Sequence, residues 1–285
     1  MTTISVIVAV YNGAATLQRC IDSFTRQTYP NKQLIVMDGG SSDATLQILT
    51  ANASHLFYWE SERDRGIYHA WNKGVARATG DWICFLGSDD YLWADDVLEK
   101  IASRLDQIPM EIKVAYGQAA IVTKSGGVLR MEGQPWEEAK KAFCHTMTIP
   151  HPGLMHRRSF FEEHGLFDES FRIVGDYDLL LRELKTGRAQ FMDGVTTVGF
   201  QHGGVSNSPT AMRPMLRELA RVRKTHHLHA AQIRRFSSVR LKMNVCSILV
   251  SIVGDRGFRW IADTGRRLTG RPAIWGEDAH AEGGK

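Results

Sequence analysis

Three places in this chain set acidic or amide side chains where an apolar run stops. Tyr11-Asn12 follows the run Ile4 to Val10, Asp38 follows Leu34 to Met37, and Asp89-Asp90 follows Trp82 to Leu86. Carboxylates gathered in this way repel one another, so they suit hydrogen-bond donors or a hard cation better than a bare phosphate. The phosphate-binding devices of other nucleotide proteins are missing: there is no G-x-x-x-x-G-K-[ST] loop and no G-x-G-x-x-G turn after the first run. An acidic site that handles phosphate needs a divalent metal between the two.

The elements that would position these residues can be read from periodicity. Ile4 to Val10 is a continuous β-branched run, as in a parallel strand buried on both faces, and Leu17, Cys20, Ile21 and Phe24 then recur at helical spacing. Leu34 to Met37 predicts a second strand, Leu46, Ile48 and Leu49 a helix, Leu56 to Trp59 a strand, Ile67 to Ala78 a helix and Trp82 to Leu86 a fourth strand. This alternation predicts an α/β fold with a mainly parallel sheet flanked by helices, and ligands in such sheets bind beyond the carboxyl ends of the strands. Further on, the pattern predicts a helix near Asp95 to Leu105, strands near Val114 to Val122 and Val128 to Met131, a short strand at Leu154 to His156, and helices at Ser159 to His164 and Asp176 to Leu184.

At 285 residues, with 43% hydrophobic and 23% charged, the chain is long enough for a sizeable core and unlike collagen, coiled coil or low-complexity sequence. The longest mostly apolar stretch, Val245 to Val253, is far short of the ~20 residues of a membrane-spanning helix. Met1-Thr2-Thr3-Ile4 lacks the basic start of a signal peptide, and Cys20, Cys84, Cys144 and Cys246 are scattered among apolar neighbours. Both features point to the cytoplasm, with reduced thiols.

Six segments, in order, carry a resemblance: Ser5 to Asn12, Gln27-Thr28-Tyr29-Pro30, Asp38-Gly39-Gly40-Ser41-Ser42-Asp43, Gly66 to Gly74 (Gly-Ile-Tyr-His-Ala-Trp-Asn-Lys-Gly), Ser88-Asp89-Asp90 and Gly175-Asp176-Tyr177-Asp178-Leu179. Together they resemble family 2 glycosyltransferases, most closely the bacterial branch that builds exopolysaccharide, O-antigen or glycolipids. The resemblance implies a GT-A (Rossmann-like) fold, a nucleotide-diphosphate sugar donor, a glycan or glycolipid acceptor and inversion of the anomeric centre by a hexosyltransferase-type enzyme. Carried over by position, Asp38 matches the residue that accepts a hydrogen bond from the nucleobase, with Tyr11 and Asn12 lining the same pocket. Asp89 falls near the ribose, and Asp90 on a divalent metal, Mn²⁺ or Mg²⁺, that bridges the diphosphate. Asp64 and Arg65 could reach the nucleotide. Asp176 matches the base; the residue before it in the family is acidic or small, and Gly175 departs from the acidic version without removing the base. Asp178, about 100° round a helix, reads as structural. His151 and His202 sit where relatives place active-site residues, and His202 is a candidate further metal ligand.

Several of these residues also have plainer readings. Asp38 or Asp43 could cap a helix, as could Asp176 if one began at Tyr177. Trp71, Trp82 and Trp93 read as core or pocket wall, and Gly66, Gly74 and Gly80 as turn and packing glycines.

The resemblance ends near residue 208, and the remainder differs in charge. From Arg213 to Arg271 there are 14 Lys and Arg against 3 acidic residues, a net +11 in a chain whose formal total is +4. Leu241, Val245, Ile248 and Ile252 share one helical face, with Arg234, Arg235, Arg240 and Lys242 upstream and Arg256, Arg259, Arg266, Arg267 and Arg271 downstream. This predicts a catalytic domain over 1–209, a basic helical extension over 210–275 that attaches to an anionic membrane surface on its cytoplasmic face, and a disordered tail over 276–285. The competing arrangement packs these helices on the domain or in a homodimer. Nucleic acid is not an expected partner, since no recognition motif accompanies the charge. Two other functions compete with transfer: a catalytically silent nucleotide-sugar-binding scaffold, and a sugar-phosphate nucleotidyltransferase, which would carry a Gly-rich basic loop where this chain has Tyr11-Asn12-Gly13-Ala14-Ala15.

Overall fold

The computed structural model describes residues 1–203 and 211–228, with 254, 257, 260–265 and 268. They belong to two units, one of residues 1–122 and 128–201, the other of residues 123–127 and those from 202 onward.

In the first unit β1 (Ile4–Val10), α1 (Leu17–Thr25), β2 (Lys32–Asp38), α2 (Thr45–Ala51), β3 (Tyr58–Ser61), α3 (Ile67–Arg77) and β4 (Trp82–Gly87) alternate. There follow β5 (Tyr91–Leu92), α4 (Val97–Leu105), β6 (Val114–Val122), β7 (Val128–Glu132), α5 (Trp136–Phe143), β8 (Met155–Arg157), α6 (Arg158–His164), α7 (Gly175–Leu184) and β9 (Ala189–Gln201). Among the described residues the strands form one sheet in the order β3-β2-β1-β4-β8-β6-β9-β5, with β7 on β6. It is parallel from β3 to β4, and mixed beyond, where β8 runs antiparallel to both β4 and β6 while β6 and β9 are parallel.

The unbroken apolar run of β1 has a simple cause: both faces are covered. Val6 and Val8 pack with Leu17, Cys20 and Ile21 on one side. On the other, α3 approaches so closely that a Cβ on Gly74 would land on Ile7 Cγ2. Trp71 and Trp82 are buried, whereas Trp93 is partly exposed.

β9 was not among the expected strands. Asp193-Gly194 in its middle reads as a turn, and Gly194 does take φ +72°. The strand survives by bulging: Tyr116 pairs with Phe191 and the next pair is Gln118 with Thr196.

Cys20 and Cys84 are buried free thiols, and burial pushes Cys84 up to about 12. In the second unit α8 (Met212–Thr225) exposes Arg213, Arg217, Arg221 and Lys224. Among the described residues no helix is long and apolar enough to cross a membrane. The expected amphipathic segment Leu241 to Ile252, its flanking arginines from Arg234 to Arg271 apart from the few positions named above, Cys246 and residues 276–285 lie outside the described residues.

Candidate active site

Because β1 to β4 are parallel, their carboxyl ends share one edge of the sheet. In register, Val10 lies beside Asp38, Asp38 beside Ser61, and Ala9 beside Gly87. The loops that carry Tyr11-Asn12, Asp38, Asp64-Arg65 and Asp89-Asp90 all leave from this edge.

Asp38 ends β2 at 1% exposure, and its carboxylate is held in place. Oδ2 accepts the Ser41 N–H at 3.0 Å and the Ser61 hydroxyl at 2.6 Å, and Oδ1 accepts the Ser41 hydroxyl. It caps no helix. Asp43, one residue before the N-cap Ala44 of α2, accepts the N–H and hydroxyl of Thr45 at Oδ1, while its Oδ2 takes the Ala14 N–H at 3.0 Å. Asn12, at φ +50°, ties the same loops together: its N–H donates to Ser41 Oγ at 2.7 Å and its Oδ1 accepts the Ser42 N–H at 2.9 Å. Tyr11 is 66% exposed beside it in the chain, so its ring is open to a ligand.

Asp89 and Asp90 form the most charged point of the edge. Asp90 is 2% exposed, and its Oδ1 accepts the Gln201 N–H at 3.0 Å while Oδ2 accepts the Gly87 N–H at 3.1 Å. Burial, and then the neighbouring Asp89 carboxylate, holds Asp90 well above the ordinary range, and burial also raises Asp89. Arg19, from α1, partly offsets both. Its Nη2 donates to the Asp89 carbonyl at 2.5 Å and to Gln201 Oε1 at 2.9 Å, and its guanidinium lies 4.8 Å from the Tyr91 ring centroid. Arg19 and Gln201 carry no motif signal, and their separation of 182 residues hides the contact from any local reading.

Would these residues hold a divalent cation? Two adjacent carboxylates that are costly to ionise without a counter-charge are a suitable oxygen donor pair. Each Asp90 oxygen, with one N–H bound, keeps further acceptor capacity. No group of three His, Cys, Asp or Glu converges among the described residues. A pair of carboxylates is the donor set that Mg²⁺ or Mn²⁺ takes when it is shared between one or two carboxylates and substrate phosphates. His202, the first residue past β9, falls in the second unit.

Asp176 is the second residue of α7, whose N-cap is Val174, so it does not cap the helix. Its Oδ1 accepts its neighbour Tyr177's N–H at 2.8 Å and the Tyr68 hydroxyl at 3.4 Å. Asp178 is structural, paired with Arg182 at 2.8 Å one helical turn on. Arg65 pairs with Glu169, which also accepts the Asn72 amide at 3.0 Å, so the Arg65 loop is fastened to the segment leading into α7. His151 is buried among Trp71, Phe85, Phe167 and His156, and burial pushes its pKa down to about 3.

The model of glycosyl transferase family 2 matches residues 5–165, more than half of the chain. This chain belongs to that family. A PGL/p-HBAD biosynthesis glycosyltransferase of Mycobacterium bovis is 30% identical over 213 residues, covering 72% of this chain and 79% of the relative. Among solved structures, the mannosyltransferase PcManGT of Pyrobaculum calidifontis, in complex with GDP-Man and Mn²⁺, has a TM-score of 0.59 at 16% identity and covers 94% of this chain and 80% of that one. S. aureus TarS 1-349, in complex with UDP, has a TM-score of 0.59 at 19% identity over 80% of this chain and 66% of that one. The first unit is thus a GT-A fold, as its resemblance to family 2 implied, and membership sets aside the nucleotidyltransferase alternative.

Proposed function

We propose that this family 2 glycosyltransferase moves a hexose, with inversion, from a nucleoside diphosphate sugar to a hydroxyl of a glycan or glycolipid acceptor, at the cytoplasmic face of a bacterial cell membrane in envelope polysaccharide synthesis. The observation that carries the reading is the Asp89-Asp90 pair just past the end of β4, Asp90 buried and Asp89 half-buried, two strands from Asp38. That spacing is about 10 Å, comparable to the reach from a nucleobase to its phosphates. Asp38, with Tyr11 and Asn12 beside it, receives the base; Asp89 and Arg65 approach the ribose and phosphates; Asp90 would hold the cation. When bound, the cation neutralises the leaving diphosphate. Asp176 takes the proton of the attacking hydroxyl as positive charge develops on the sugar.

The relatives support the donor, the cation and the acceptor class. GDP-Man with Mn²⁺ in the Pyrobaculum enzyme, and UDP in TarS, favour a nucleotide donor and a divalent cation. The mycobacterial relative's part in PGL/p-HBAD biosynthesis favours a glycolipid acceptor. The net +11 of residues 213–271 favours an anionic membrane surface.

Calorimetry of UDP and GDP, with and without Mn²⁺, tests the core of the proposal. One of the two should bind in a Mn²⁺-dependent way, and Asp90→Ala should abolish that dependence. Equal affinity with and without Mn²⁺, unchanged by the substitution, would refute the shared-cation site.

A further inference from the structure

The glycine before the proposed base has a partner 107 residues away. Tyr68, in α3, is 3% exposed, and its ring lies flat enough against Gly175 that a Cβ there would meet ring carbons at 2.7–2.9 Å. Real Cβ atoms do not approach so closely, so any other residue at 175 would displace the ring. The Tyr68 hydroxyl accepts the Gly175 N–H at 2.8 Å. That N–H is one of the first donors of α7, which have no partner inside the helix. A phenol has one proton, and an accepted bond leaves it available for donation. Asp176 Oδ1 accepts from this hydroxyl at 3.4 Å and also takes the Tyr177 N–H. The first contact is long for a hydroxyl and a carboxylate, as catalytic hydrogen bonds often are before substrate arrives.

We propose that Tyr68 is a positioning residue for Asp176, and that Gly175 stands before the base because it admits the Tyr68 ring. The inference rests on the reading of Asp176 as the base. A neutral donor of this kind fixes the carboxylate's orientation and favours its ionised form without adding charge. The clamp around it has the same effect on the backbone. Asn72 exchanges hydrogen bonds at 3.0 Å with the Phe167 N–H and carbonyl, and Arg172 donates to the Arg65 carbonyl, so the strap from residue 165 to α7 is tied to α3 along its length.

The test uses full-length protein labelled with ¹³C at aspartate carboxyls, with the Asp176 signal assigned through Asp176→Asn. Tyr68→Phe keeps the ring but removes the donor to Asp176 and the acceptor of the Gly175 N–H. It should move the Asp176 titration midpoint upward by about half a unit or more, and the loss of the Gly175 N–H's acceptor should lower the thermal midpoint by a few degrees without unfolding the protein. Gly175→Ala, which pushes the ring away, should move the same midpoint in the same direction. In hydrolysis of UDP-GlcNAc or GDP-mannose with Mn²⁺, Tyr68→Phe should lower kcat about tenfold at constant donor KM. An unmoved Asp176 titration in both variants overturns the Tyr68 inference. Undiminished hydrolysis in Asp176→Asn overturns the base assignment beneath it, a different result in a different variant.

Discussion

Acid should destabilise this protein through two buried histidines. His151 and His156 are buried in an aromatic cluster with Trp71, Phe85, Phe160, Phe161 and Phe167, their ring centroids 5.4 Å apart. His151 Nε2 and both nitrogens of His156 find no hydrogen-bond partner among the described residues. Burial holds both rings neutral, with His151 pushed down to about 3 and His156 far below its ordinary value of 6.5, the latter helped by His151 itself. In the unfolded chain both take up protons near pH 6.5. The unfolded state therefore binds more protons below that pH, so the stabilisation is complete above about 6.5 and is lost as pH falls. Each ring costs about 1.4 kcal/mol per pH unit in that window, so going from pH 7.5 to 5.5 removes about 3 kcal/mol from a fold whose total is of order 5–15. Asp89 and Asp90, raised in the folded state, act in the opposite direction, so the comparison must be between variants. His156→Phe keeps an aromatic ring beside Phe160 and Phe161 and removes one titrating site. Urea unfolding at pH 7.5, 6.5 and 5.5 should show the variant losing about 1.4 kcal/mol less than the parent over that range. Parallel pH dependences in the two proteins would show that His156 is protonated or partnered in the fold, and the reasoning would fail.

Asp176→Asn should reduce turnover by about 10²-fold or more while leaving Mn²⁺-dependent nucleotide binding intact, checked by hydrolysis and calorimetry on one preparation. Gly74→Ala should cost about 1–3 kcal/mol, because the new methyl lands on Ile7 Cγ2; the melting temperature reports it, and Ile7→Ala in the same chain should recover part of the loss. The basic region over 213–271 should draw the full-length protein onto phosphatidylglycerol vesicles at low ionic strength, with binding weakened by salt and absent from phosphatidylcholine vesicles. Equal sedimentation with both lipids, or with neither, would leave the charge to packing or dimer formation.

The first four strands and their helices were legible because a parallel strand covered on both faces must be apolar along its whole length, as β1 and β4 are. Acidic residues where those runs stop then had to share one edge, and the structure brings Asp38 and Asp89-Asp90 to that edge. The six ordered segments fixed the family for the same reason: each is local in sequence. β9 escaped because Asp193-Gly194 is a turn signal that only the bulge against β6 overrides. Arg19, Gln201 and Tyr68 escaped because their meaning lies in contacts across 70 to 182 residues. His156 reads as an ordinary polar residue in a short strand until Phe85, Phe160 and Phe161 close around it. Residue type and spacing determined which groups could carry the chemistry. Which oxygen is held, which proton is directed and which ring is kept neutral were decided by packing, since a side chain's solvation and hydrogen-bond partners come from elements that the chain order keeps far apart.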